Sequence, residues 1–268
     1  MDAEAGQHPA RLKVGIIGPG RVGAALGVAL IRAGHEVVAV AAVSDTSVRR
    51  AREHFPAAVV TEPAGVVEAA DLVLLTVPDD ALAGLVNGLA AIGAPVQGRL
   101  LAHTSGRYGI TVLDPATRQG ALPLALHPVM AFTGRSDDLQ RMRGISYGIT
   151  APDQLRPVAE VLVIEMDGEP VFIAEEHRDL YHAALASAAN HLVGLVAEAS
   201  DLLRAAGAAN PARMLGPLLF AALRDTAPEA LHAYLALARL TADRALAAGI
   251  LSAPDAQRLL GVLSGAPR

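Results

Sequence analysis

Two patterns of apolar spacing divide the chain. From residue 12 to about 173, short apolar runs of strand length alternate with stretches that repeat at helical spacing. The runs lie at 12–17, 36–43, 57–60, 71–77, 99–103, 121–126, 145–150 and 170–173. Helical stretches separate most of them, at 21–33, 47–54, 63–70, 79–92 and 152–164. Beyond residue 175 only the helical period remains, over 175–206, 211–223, 228–248 and 253–263. The run at 71–77 is apolar throughout, as a parallel strand covered on both faces should be. The pattern predicts an α/β fold: a doubly wound, mostly parallel sheet at 12–174, then an all-helical C-terminal domain at 175–268. Residues 1–11 read as a disordered lead-in.

The first apolar run ends in Gly18-Pro19-Gly20-Arg21-Val22-Gly23, and helix-forming residues follow at once. Strand, glycine turn, helix is the order of a dinucleotide site, which makes the sheet Rossmann-type. Gly18 permits the sharp turn, Gly20 lets a pyrophosphate approach the backbone, and Gly23 lets helix and strand pack closely. The helix N-terminus offers free N–H groups to the phosphates. An acid at the end of the second strand would select NAD, but Ala41 and Ala42 stand there. Ser44 and Asp45 come next, then Arg49 and Arg50. This favours NADP over NAD as cofactor, with Ser44 and Arg49 near its 2′-phosphate. The competing reading puts both arginines on a solvated helix face.

Composition narrows the classes further. Hydrophobic residues make up 52% of 268, yet no uninterrupted apolar run reaches the length of about 18 that a membrane span needs. The first residues carry no signal-peptide pattern, so the chain reads as cytoplasmic. A formal net charge of −5 and 3% aromatic residues argue against a nucleic-acid partner. The absence of Cys removes thiolate chemistry. Lys13 is the only lysine, so proton transfer falls to His, Tyr, Ser or water. The nine histidines show no zinc-binding helical spacing, and no metal site is expected.

Ligands of open α/β sheets sit beyond the carboxyl ends of the strands. Three polar clusters fall there: Thr76-Val77-Pro78-Asp79-Asp80, His103-Thr104-Ser105-Gly106 and His127-Pro128. Thr76, Val77 and Pro78 would border the nicotinamide, while Asp79 and Asp80 suit a helix cap. A histidine at a strand end is more often structural than catalytic, but His127 could exchange a proton near neutrality. On the long helix, Tyr181 and His182 precede a polar face of Ser187, Asn190, His191 and Gly194. Spacing alone does not choose the proton donor among these groups. His182 and His127 rank first, then Tyr181 and His191, with Asn190 and Ser105 holding the substrate oxygen.

The stretches GIIGPGRVG, LLTVPDD, HTSG, ALHPVMAFTG and YHAALASAANHLVGL together resemble a known group. It comprises two-domain Rossmann-like oxidoreductases whose helical second domain has no assigned function. That group is similar to the wider 6-phosphogluconate dehydrogenase, β-hydroxyacid dehydrogenase and pyrroline-5-carboxylate reductase superfamily. The resemblance implies NAD(P)-dependent hydride transfer to a small carbonyl or imine, possible substrates including an oxo acid of the ketopantoate type. It maps Gly18 to Gly23 onto the pyrophosphate loop and places His127, His182 and Asn190 around the substrate. It also implies a homodimer joined through the helical domain. The chain departs from the family at two places. The catalytic lysine of β-hydroxyacid dehydrogenases corresponds to Ala186, and a stretch between helices is shortened at Arg224-Asp225-Thr226. A nucleotide-binding regulatory protein without turnover is therefore the alternative function.

Overall fold

The computed structural model of the protein describes residues 11–224. The helices expected at 228–248 and 253–263, and nearly all of the lead-in, lie outside them, as does most of the shortened stretch at 224–226. In order, the chain forms β1 (Lys13–Ile17), α1 (Arg21–Arg32), β2 (Glu36–Ala41), α2 (Asp45–His54), β3 (Val59–Val60) and α3 (Pro63–Ala69). There follow β4 (Leu72–Leu75), α4 (Asp79–Ala91), β5 (Leu100–His103), α5 (Asp114–Thr117), β6 (Leu122–Pro128) and α6 (Asp138–Arg141). The last elements are β7 (Ser146–Thr150), α7 (Arg156–Glu165), β8 (Glu169–Phe172), α8 (Arg178–Ala205) and α9 (Pro211–Arg224).

The strands form one sheet in the order β3-β2-β1-β4-β5-β6-β7-β8. β3 to β6 run parallel, whereas β7 lies antiparallel to β6 and parallel to β8. β1 therefore pairs with β2 on one side and β4 on the other, and connections leave it in opposite directions. That reversal opens a crevice at the carboxyl edge, where nucleotides bind in such sheets. Apolar side chains cover both faces. Leu26 and Leu30 of α1, Phe55 and Leu162 form one core, while Val66, Leu82, Val86 and Leu89 form the other. Each fully buried leucine contributes about 1.5–3 kcal/mol, enough to make the helix positions unambiguous.

The chain divides into two compact units, Met1–Ser187 and Ala188–Arg268. The division falls inside α8 because Arg178 is buried against the sheet and Tyr181 is tied to β6. Within the stretch 175–205 an 18-residue window reaches a mean hydropathy of 1.2 with at most two charges. Among the described residues it is the one helix long and apolar enough to cross a membrane. The strict uninterrupted run sought in the sequence misses it, because polar residues such as Asn190 break the run. In the second unit, Gly207 ends α8 in the left-handed conformation, with φ at +93°. The side chain of Asn210 then accepts the Arg213 N–H and opens α9.

Candidate active site

The glycine turn forms at the end of β1. Gly18 has φ +87°, and its N–H donates to the Ala41 carbonyl of β2 at 2.9 Å. A side chain there would press on the Thr76 carbonyl at 3.1 Å. A Cβ on Gly23 would collide with the Thr76 hydroxyl and stand 2.9 Å from the Gly18 carbonyl. Around Gly20, by contrast, the nearest obstruction is that same carbonyl at 3.8 Å. The surface over Gly20 is therefore open to a ligand, and no side chain caps α1. The first amides of α1, those of Arg21, Val22 and Gly23, precede the first intrahelical bond and suit an anion. This cradle, which any Cβ would fill, fits a dinucleotide pyrophosphate.

A cavity of about 750 Å³ opens beside it, lined by Gly18, Gly20, Ala41, Ser44, Thr76 and Pro78 among others. Thr76, expected beside a nicotinamide, uses its hydroxyl to donate to the Gly18 carbonyl at 2.6 Å. It holds the turn in place from the neighbouring strand. Pro78 caps the N-terminal side of α4, with Asp79 and Asp80 in the first turn. Ser44 caps α2: its hydroxyl accepts the Ser47 N–H at 3.2 Å. Arg49 does not share this cavity. With Arg21 and Arg50 it lines a second one, of about 240 Å³, between α1, α2 and the loop around Gly134. The sequence grouped Ser44 with Arg49, but one helical turn sends them to different cavities. Pro19 and Val22 complete the turn without lining the larger cavity among its described walls.

Two histidines end adjacent strands. His103 is fully buried; its Nε2–H donates to the Gly109 carbonyl at 2.8 Å and its Nδ1 accepts the Ser105 N–H at 3.2 Å. Burial pulls its pKa from about 6.5 down to about 4. Every polar atom of that ring is used. Ser105 is 6% exposed, and its oxygen accepts the N–H groups of Arg107 and Tyr108 at 3.1 and 3.2 Å. The Ser105 oxygen thus closes its own turn, the tight Ser105-Gly106-Arg107-Tyr108 bend, and its O–H is the part left for a ligand.

His127, half-buried at the end of β6, packs its ring over Gly106, where a Cβ would meet it at 2.9 Å. Its Nδ1 lies 2.8 Å from the Tyr181 hydroxyl, with the rings edge to face. Burial first, then Arg178 and His182, lower its pKa to about 4. At neutral pH His127 is uncharged, which corrects the expectation that it titrates there. His182 is near enough to repel its charged form, as Asp79 is near enough to attract it. The first unit thus brings together His127, Tyr181 and His182. Asn190 belongs to the second unit and is exposed.

Three groups escaped the sequence reading. Arg178, 2% exposed, donates from Nε to Thr150 Oγ1 at 2.7 Å and from one terminal nitrogen to the Gly148 carbonyl at 3.0 Å. A charged residue opening a helix looks like a surface residue, so nothing marked it. Gly148 was readable as a glycine inside a strand, a sign of close approach; Tyr181 occupies the space where its side chain would be. Asp138 accepts the N–H groups of Thr133 and Gly134 at 2.9 and 2.7 Å and fixes the loop after β6. Those bonds hold its carboxyl below the usual carboxylate range despite burial.

Residues 1–128 match the family model of a Rossmann-like domain, and residues 145–248 match a domain of unknown function, DUF2520. No curated protein matches the chain. Among solved structures, the Bacteroides fragilis protein BF3122 is 22% identical, with a TM-score of 0.63 over 95% of this chain and 97% of its own. A reductive aminase from Aspergillus terreus in complex with NADPH is 19% identical, at 0.65 over 96% and 94%. A 1-pyrroline-5-carboxylate reductase from Streptococcus pyogenes is 15% identical, at 0.65 over 94% and 99%. At these identities the likeness establishes the fold.

Proposed function

We propose that this chain, which joins a Rossmann-like domain to a DUF2520 domain, is an NADPH-dependent reductase of a small carbonyl or imine compound. The observation that carries the reading is the open cradle at Gly20, set at the same sheet edge as the His127–Tyr181 pair. A purely structural glycine turn has no need of that pair. The names of the structural neighbours, a reductive aminase and a 1-pyrroline-5-carboxylate reductase, support carbon–nitrogen double bonds as the substrate class.

NADPH, when bound, supplies the hydride that reduces the substrate carbon. Gly18, Gly20 and the first amides of α1 would hold its pyrophosphate, and Thr76 keeps that turn rigid. Val77 and Pro78 would wall the reactive end. Arg21, Arg49 and Arg50 make no ion pair among the described residues, and their common cavity suits a doubly charged phosphate. That favours NADPH over NADH. His127 and His182 flank the place where charge develops on substrate. The same reading takes the protein as a cytoplasmic homodimer joined through its helical region, which sedimentation would check.

The test is NADPH oxidation followed across oxo acids, ketones with amines, and cyclic imines. Turnover with any of them supports the reductase. Tight binding of NADPH without turnover across the panel favours a nucleotide-sensing protein instead.

A further inference from the structure

We propose that Tyr181 is the proton donor of this reduction, with His127 orienting its hydroxyl and Arg178 stabilising the phenolate that proton transfer leaves. The inference rests on the reductase reading and deepens it. It starts from a comparison of tyrosines. Tyr147 is wholly buried, its hydroxyl has no partner, and burial pushes its pKa well above the usual phenol value, so it serves packing. Tyr181 is only half-buried and its hydroxyl meets an imidazole at 2.8 Å.

Arg178 supplies the second observation. Its guanidinium carbon stands 5.5 Å from the centre of the Tyr181 ring. It is pinned by Thr150 and the Gly148 carbonyl, yet one terminal nitrogen is buried with no hydrogen-bond partner. No carboxylate forms an ion pair with it among the described residues. Glu175, the nearest candidate by charge, spends its oxygens on the N–H groups of Ile110 and Thr111. Burying an uncompensated cation is expensive. A negative charge arising on Tyr181 during turnover would offset it.

The proton balance closes without any further reactant. In the tautomer with hydrogen on Nδ1, His127 donates to Tyr181 Oη and leaves the phenolic O–H for substrate. As hydride reaches the substrate carbon, the Tyr181 O–H bond breaks and its proton goes to the substrate nitrogen or oxygen. The phenolate then takes a proton from solvent water, which leaves as hydroxide, so the phenol is restored and His127 keeps its Nδ1 proton. Burial raises the Tyr181 pKa, and Arg178 and the Gly148 N–H oppose that rise. The phenol is thus protonated before the step. The other charged or titratable groups acting on the pair are His103, His182 and Asp79 for His127, and Glu175 for Arg178.

Tyr181→Phe keeps the ring and tests the donor directly. It is expected to lower kcat about 100-fold or more, with NADPH affinity and Tm close to wild type. A variant that keeps more than half the rate overturns the assignment. A second measurement needs no substrate: ultraviolet titration of the phenol, taken as the difference between proteins with and without Tyr181→Phe. Arg178→Met should move that ionisation to higher pH, and Arg178→Lys should restore most of it. No movement in either variant overturns the role of Arg178. Should wild type reduce nothing in the panel, the reductase reading and the donor role fall together. The titration would still separate that failure from an absence of coupling.

Discussion

His103 and His127 end neighbouring parallel strands, and burial holds both near pKa 4. His103 spends both ring nitrogens on the backbone of its own loop, at Gly109 and Ser105. His127 spends one on Tyr181, which reaches it from 54 residues along the chain. The first arrangement makes a rigid corner. The second leaves an uncharged imidazole and a phenol side by side at a half-exposed edge. A depressed pKa therefore does not identify a functional histidine here; the origin of its partner does.

The largest expected effect sharpens this by acid. Both histidines bind protons less readily folded than unfolded, so the unfolded chain takes up more protons between pH 6.5 and 4. Stability is full above pH 6.5 and falls as pH drops through that window, by about 3 kcal/mol at the limit for a group shifted this far. Urea titrations at stepped pH should show that slope. His103→Asn and His127→Asn should each remove part of it.

Next in size is His103→Ala, which opens a hole and orphans the Gly109 carbonyl and Ser105 N–H. It should cost about 3 kcal/mol and lower Tm by roughly 5–10 °C, with little change in turnover at 25 °C. His127→Ala should do the reverse: kcat falls about 100-fold, or about 2.7 kcal/mol of barrier, while Tm hardly moves. If the two variants gave the same split between stability and rate, the contrast between the sites would be gone.

Much of the fold was legible because it depends on local pattern. Apolar runs such as Leu72-Val73-Leu74-Leu75 mark strands, and Gly18, Gly20 and Gly23 mark a turn whose spacing carries its own geometry. The antiparallel β7 was not legible, since a strand's direction leaves no trace in its side chains. The site was readable only in part. His127 and Tyr181 were both candidates, but nothing in the sequence says they touch. Arg178 was missed because burial of a charge is decided by distant acceptors, Thr150 and Gly148. The turn that Ser105 closes was not legible, because its partners are backbone amides, which every residue has.

Smaller effects probe the cradle at the end of β1. Thr76→Val removes the bond to the Gly18 carbonyl and should cost about 1 kcal/mol, with a few-fold loss of NADPH affinity in a binding titration. Arg49→Ala should weaken NADPH while leaving NADH unchanged; equal loss of both would place the 2′-phosphate elsewhere.

The most direct test of the whole account is a fluorescence titration of the purified protein with NADPH, alongside Gly23→Val. The account predicts saturable binding at one site per chain, lost in the variant while its circular dichroism stays that of the folded protein, because the added side chain would occupy the space of the Thr76 hydroxyl and the Gly18 carbonyl. Unchanged binding in Gly23→Val, or no saturable binding of NADPH or NADH by folded wild type, would contradict it.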